Sequence, residues 1–252
     1  MTDIPFKDRA LNKQEFEQLR LMLSIFRDGT GQVVLSSGET MPGFRDYERT
    51  IAALLDARAP EDKGIFDVHV ESDTGTFGIS CKMAKIQPPG NNCTFMELSN
   101  SAAKFEAELN RLNIDWTTHP QQAGEAVVNL VTSWHLEVQE EFALNSSRYV
   151  VLSHDAKWEK FELICLPLDL RNTDPLYAIT WKLEGRSLNG YIKDGERTHR
   201  LWQFYRYSGG QLKYFPLKSW AIWSTPLFHL ETPQKVSLKS RAKDYFPKFS
   251  VF

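Results

Sequence analysis

The chain has 252 residues, 42% of them hydrophobic and 25% charged, with a formal net charge of −2. Those proportions are ordinary for a folded, soluble protein with a sizeable core. No apolar run reaches membrane-spanning length, and the opening MTDIPFKDRA lacks the basic-then-apolar pattern of a secretion signal. The expected location is the cytoplasm, with no membrane partner.

The three cysteines, Cys81, Cys93 and Cys165, lack the paired spacing that a zinc site or a disulfide framework needs. Charge is unevenly spread. Residues 180–252 carry 13 Lys+Arg against 5 Asp+Glu, a balance of +8, while residues 1–179 carry 17 against 27, a balance of −10. A basic C-terminal part on an acidic body points to a polyanionic partner at that end, or else to a solvated basic surface.

In chain order, Phe16, Leu19, Leu23 and Phe26 predict a helix over about residues 13–27. A polar stretch with glycines follows. Phe44, Tyr47, Ile51, Leu54 and Leu55 then define the apolar side of a second helix, with Glu48 near the edge of that face. Two alternating runs, IFDVHVE and TFGISCKM, flank SDTG and predict a β-hairpin. After a loop containing PPGNN, the helical spacing of Leu98, Ala102, Phe105, Leu109 and Leu112 predicts a helix with Glu97 at its start. AGEAVVNLVTSWHLEVQEEFAL predicts a longer one. From Arg148 onward short aromatic and β-branched runs dominate, among them RYVVLS, FELICLPL, LYAITWKL, GYIKD and LWQFYRY. With no internal repeat and no convincing linker, the expectation is one α/β domain with a mixed sheet flanked by helices and a strand-rich C-terminal half.

The hairpin carries the chemistry. With Ser72 to Gly75 as its loop, the closest register pairs Val70 with Phe77, Val68 with Ile79, Asp67 with Ser80 and Phe66 with Cys81. One face then bears Phe66, Val68, Val70, Phe77, Ile79 and Cys81, and the other bears Asp67, His69, Glu71, Ser80 and Lys82. A one-residue slip would mix the faces, which argues for this pairing. Lys82 is therefore expected to point away from the packed face toward Asp67. That arrangement suits a structural ion pair, or, with Glu97 returning toward the hairpin, a Mg²⁺ site built from hard oxygen ligands and water.

A helix with Glu48, a strand with Asp67, a hairpin, and a strand with Ser80-Cys81-Lys82 resembles the core of the PD-(D/E)XK nucleases, in particular type II restriction endonucleases. The likeness spans about residues 44–112. Phe66 stands where a proline often precedes the aspartate, and Ser80 stands where the family commonly has an acid. Some members use serine there and take the missing carboxylate from the following helix, which Glu97 matches in kind and approximate spacing.

The resemblance implies Mg²⁺ held by Asp67 and Glu97, with the Cys81 carbonyl a further oxygen. Lys82 would position or activate the attacking water. Glu48 would be an outer-shell or second-metal carboxylate, or a solvated helix-edge residue. The family also implies double-stranded DNA as substrate, a prokaryotic source, and a homodimer matched to palindromic sites.

The expected DNA-recognition region is about residues 180–252, where HRLWQFYRYSGGQLKYFPLKSW predicts a second hairpin turning at Gly209-Gly210. Arg200, Gln203, Arg206, Gln211, Lys213 and Lys218 are its candidate contacts, arginine and glutamine suiting base edges and lysine suiting phosphates. Trp202, Phe204 and Tyr214 read as core residues. A repair or recombination nuclease and a non-catalytic DNA-binding module are the alternative functions.

Overall fold

The computed structural model describes residues 3–61, 64–87, 96–99, 102–168, 178–205, 211–234 and 237–248, with the side chains of 96–99 and Ala102 outside the description. Helix α1 (Lys13–Ile25) starts where Asn12 and Glu15 cap each other: the Asn12 side chain accepts the Glu15 N–H at 2.9 Å, and the Glu15 carboxylate accepts the Asn12 N–H at 2.8 Å. A two-stranded ribbon, β1 (Val33–Val34) with β2 (Thr40–Met41), leads into α2 (Phe44–Leu54). The hairpin follows as β3 (Val68–Val70) and β4 (Phe77–Lys85).

Next come β5 (Met96–Ser99), α3 (Ala102–Arg111), α4 (Pro120–Glu137), β6 (Arg148–His154) and β7 (Phe161–Pro167). The strand-rich remainder comprises β8 (Thr180–Glu184), β9 (Ser187–Asp194), β10 (Arg197–Tyr205), β11 (Gln211–Tyr214) and β12 (Trp223–Ser224), before the C-terminal α5 (Leu238–Tyr245).

Among the described residues, two five-stranded sheets result. The first has the order β12-β7-β6-β4-β3 and is mixed: β4 and β6 run parallel, while the other pairs are antiparallel. Parallel pairing requires a crossover, and α3 and α4 lie in the chain between β4 and β6. The second sheet, β5-β11-β10-β9-β8, is antiparallel throughout. Among the described residues no helix is long and apolar enough to cross a membrane.

Alternation along the strands sorts the core into two clusters. Val150 and Leu152 of β6 join Leu19, Leu23, Tyr47 and Ile51 of α1 and α2 on one face of the first sheet. Tyr149 and Val151, on the opposite face, join Phe105, Val127, Trp202, Phe204 and Tyr214 from α3, α4 and the second sheet. Trp202, Phe204 and Tyr214 are thus core residues, at most 1% exposed. Helix α4 approaches β8 closely because Gly124 has no side chain, and a Cβ there would lie 1.9 Å from the Trp181 ring.

One predicted element changes class. Residues 96–99, expected to open a helix, form β5 and pair with β11, and the helix begins only at Ala102. The apolar spacing of the later residues is helical, but inter-strand hydrogen bonding claims the segment before them.

Candidate functional site

The hairpin register is the one the apolar pattern predicts, with Val68 opposite Ile79 and Val70 opposite Phe77. A local irregularity then shapes its open end. The Asp67 N–H donates to the Ile79 carbonyl at 2.9 Å, although Ile79 is the ladder partner of Val68. Two residues of one strand therefore face one of the other, the arrangement of a β-bulge.

The bulge corrects the predicted placement of Phe66. Its ring lies on the Gly78 face, where a Cβ on Gly78 would be 2.0 Å from Phe66 Cγ, and it packs 4.9 Å from the Phe142 ring. His69 meets the same Phe142 ring edge-on at 4.8 Å, so this side of the hairpin is partly aromatic rather than purely polar.

Asp67 is bent back toward β4 by the same feature. Its Oδ2 accepts the Cys81 N–H at 2.8 Å, lies 3.4 Å from the Ser80 hydroxyl, which donates to it, and is 3.7 Å from Lys82 Nζ. Phe77 and Ile79 direct their main-chain groups toward β3, so Cys81, two residues further along, turns its N–H and carbonyl to the same edge. The Asp67 carboxylate occupies the position of the next ladder partner there, and the Cys81 carbonyl faces the same side.

Glu48 reaches this neighbourhood from α2, and its side chain is only 8% exposed. Arg45 Nη1 donates to Glu48 Oε2 at 2.7 Å. Burial pushes the Glu48 carboxyl above its ordinary range, and the negative charge of Asp67 adds to the effect, against the pull of Arg45 and Lys82. A buried carboxyl that the charge of Asp67 holds back from ionising is what a cation would relieve.

The other side of Lys82 is bounded by α4 and β6. Tyr149, the parallel-strand partner of Ser80, has its hydroxyl 3.4 Å from His135 Nε2. Burial, with a smaller contribution from Lys82, lowers the His135 imidazole to about 4. It is therefore neutral at pH 7. Neither residue stood out in the sequence, where His135 has no ligand spacing to another histidine; parallel pairing of β4 with β6 brings them in.

Glu97 stands elsewhere than expected. It lies on β5 and pairs with Lys213 of β11 in the second sheet, although Cα atoms of β5 approach those of β4. Its side chain lies outside the described residues. Among those that are described, no group of three or more His, Cys, Asp or Glu side chains is gathered to hold a metal ion. Asp67, Glu48 and the Cys81 carbonyl all offer oxygen, the donor type a hard cation that keeps several waters would take.

The candidate DNA contacts separate. Gln203 is 7% exposed and its Oε1 accepts the Tyr205 hydroxyl at 2.7 Å, so its amide is committed within the sheet. Lys218 pairs with the carboxylate of buried Glu162 on β7. Arg200 lies over the Phe215 ring at 4.7 Å and Lys213 over the Tyr205 ring at 5.0 Å, while Gln211 is the ladder partner of Tyr205. Arg206 and the Gly209-Gly210 turn lie outside the described residues. Lys182, Asn189, Gln203, Lys213 and Glu97 are successive ladder partners from β8 to β5, a polar row across the second sheet.

Comparisons with protein-family models, with curated proteins and with solved structures find no significant match to this chain.

Proposed function

We propose that this chain is a Mg²⁺-dependent endodeoxyribonuclease of the PD-(D/E)XK kind, hydrolysing phosphodiester bonds in double-stranded DNA as a type II restriction enzyme does. The observation that carries the reading is the Asp67 carboxylate at the bulged end of β3, bound to the Cys81 N–H and 3.7 Å from Lys82, with the buried Glu48 carboxyl near enough to feel its charge. The order of elements supports it: a helix with an acid, a hairpin, a helical crossover, and a strand parallel to the one bearing the lysine.

Among the described residues, the hydrogen bonds of Asp67 run to Oδ2 and that of Glu48 to Oε2, leaving the second oxygen of each to hold the ion with the Cys81 carbonyl. Mg²⁺, when bound, stabilises charge on the phosphoryl group and lowers the pKa of a bound water. Ser80 does not replace the missing acid as a ligand; its hydroxyl donates to Asp67 and helps fix the carboxylate. Lys82 orients the attacking water and offsets charge building on the phosphate oxygens. Glu48 is the second carboxylate of this proposal; Glu97, expected in that role, lies on β5 in the second sheet, and its side chain is outside the described residues.

The test is incubation of plasmid DNA with the wild type and with Lys82→Ala, in Mg²⁺ or in chelator. Discrete fragments from the wild type in Mg²⁺, absent with chelator and with the variant, are expected. Equal digestion by both proteins removes Lys82 from the mechanism. Salt-dependent DNA binding with no cleavage in Mg²⁺ favours the non-catalytic binding module instead.

A further inference from the structure

Alternation gives the second sheet two unlike faces. Trp181, Leu188, Trp202 and Leu212 face the core, so Lys182, Asn189, Gln203 and Lys213, next to them in the chain, face the other way. On this outer face Asn189 is only 2% exposed. Its Nδ2 donates to Glu184 Oε2 at 2.8 Å, while its Oδ1 is buried with no hydrogen-bond partner. An unpaired buried acceptor is costly, and a donor from outside the chain would relieve it. The ladder neighbours of Asn189, Lys182 and Gln203, are long side chains that can turn aside without moving the backbone.

Two tyrosines flank that oxygen. Tyr205 and Tyr191 stand on the same face, one on either side of the Asn189–Gln203 pair, and both are partly exposed. Their hydroxyls are held, Tyr191 donating to Glu184 Oε2 at 2.6 Å and Tyr205 to Gln203 Oε1 at 2.7 Å, which fixes the rings. Lys213 Nζ lies over the Tyr205 ring at 5.0 Å, so one face of that ring meets a cation of the outer surface rather than the core. Tyr205 pairs with Ser187, four residues before Tyr191, which puts the two aromatics about 14 Å apart.

Exposed Lys182, Lys193 and Arg200 share this face, and among the described residues none of the three is in an ion pair. Glu184, an acid on the same face, is engaged by Asn189 and Tyr191. The ligand is therefore anionic and offers both flat rings and an N–H donor. Five strands span about 19 Å, wider than the roughly 12 Å major groove of a duplex, so the face suits splayed bases better than stacked base pairs. We propose that the outer face of the second sheet binds a single-stranded nucleic acid. Its bases stack on Tyr191 and Tyr205, one base amino group donates to Asn189 Oδ1, and Lys182, Lys193 and Arg200 meet phosphates. The inference stands apart from the nuclease reading, since it rests on neither Asp67 nor Lys82.

Fluorescence anisotropy of the full chain with short labelled oligo(dC) and oligo(dT), in chelator so that nothing is cut, tests it. Cytosine carries an amino donor and thymine does not. The wild type is expected to bind both, more weakly as salt rises, and to favour oligo(dC) by about five-fold or more. Tyr191→Ala and Tyr205→Ala should each weaken binding of both by about ten-fold, whereas Tyr191→Phe and Tyr205→Phe keep the ring and most of the affinity. Asn189→Ala should bring oligo(dC) down to the level of oligo(dT), with circular dichroism unchanged. Oligo(rC) in place of oligo(dC) tells RNA from DNA as the source of the strand. Binding of duplex alone, no binding, or equal losses in the alanine and phenylalanine variants overturns the proposal. Equal affinity for the two oligonucleotides, or a preference that survives Asn189→Ala, removes Asn189 Oδ1 from it. Lys82→Ala is expected to bind both oligonucleotides as the wild type does while failing the plasmid assay, so this reading and the nuclease reading fail separately.

Discussion

The main-chain N–H of Cys81 donates to Asp67 Oδ2 at 2.8 Å, so the strand that carries Lys82 also fixes the acid beside it. A side chain takes the place of a backbone partner at this point in the sheet. The carboxylate keeps its orientation without depending on the long, mobile arm of the lysine.

Asp67→Asn is expected to remove cleavage more completely than Ser80→Ala. The asparagine amide keeps the shape but loses the charge that would hold Mg²⁺, whereas Ser80 contributes one 3.4 Å contact. In the plasmid assay, Asp67→Asn and Lys82→Ala should each lower the rate by about 10²- to 10⁴-fold. Ser80→Ala should retain most of it.

Glu48 makes a prediction about stability in chelator. Its folded carboxyl titrates above the ordinary value of 4.5, so the folded state keeps that proton longer than the unfolded chain. The contribution to stability is complete below pH 4.5 and is lost as pH rises through the raised folded value. Thermal melts should show Glu48→Gln gaining on the wild type as pH rises from 4 toward 7. Added Mg²⁺ should raise the melting temperature of the wild type and have much less effect on the variant.

His135 gives the opposite slope. Its folded imidazole titrates near 4 against an ordinary 6.5, so the unfolded chain binds the proton first as pH falls. Stability present above pH 6.5 is lost between 6.5 and 4, a loss on the order of 3 kcal/mol at most. His135→Gln should flatten that part of the pH profile. In NMR titrations, Lys82→Ala should move the His135 midpoint upward, because the lysine charge is one cause of the depression.

Gly78→Ala tests the packing behind the site. Its Cβ would meet the Phe66 ring at 2.0 Å, with Phe142 behind that ring. The substitution should cost about 1–3 kcal/mol in denaturant melts, as overpacking does. It should also weaken cleavage, since Phe66 precedes Asp67 and any shift of the ring moves the bulge.

Much of the local structure is legible from apolar spacing. Leu19 and Leu23 mark the buried side of α1, Tyr47 and Ile51 that of α2, and the alternation of Val68, Val70, Phe77 and Ile79 sets the hairpin register, because each pattern matches the geometric period of one element. The Asp67–Lys82 neighbourhood follows from that register. Phe66 and Glu97 mark where the reasoning stops. A bulge inserts one residue and exchanges faces without any change in composition, and β5 forms because β11, distant in the chain, supplies its hydrogen-bond partners.

The sequence by itself determined which residues alternate and which recur at helical spacing, and through them the pairing of an aspartate with a lysine across one hairpin. Only the tertiary structure decided that buried Glu48 feels the charge of that pair, that His135, in contact with Tyr149, feels the lysine charge from α4, and that β5 with Glu97 belongs to a second sheet. Side-chain periodicity is a property of neighbouring residues, whereas these placements depend on hydrogen bonds and packing between segments far apart in the chain.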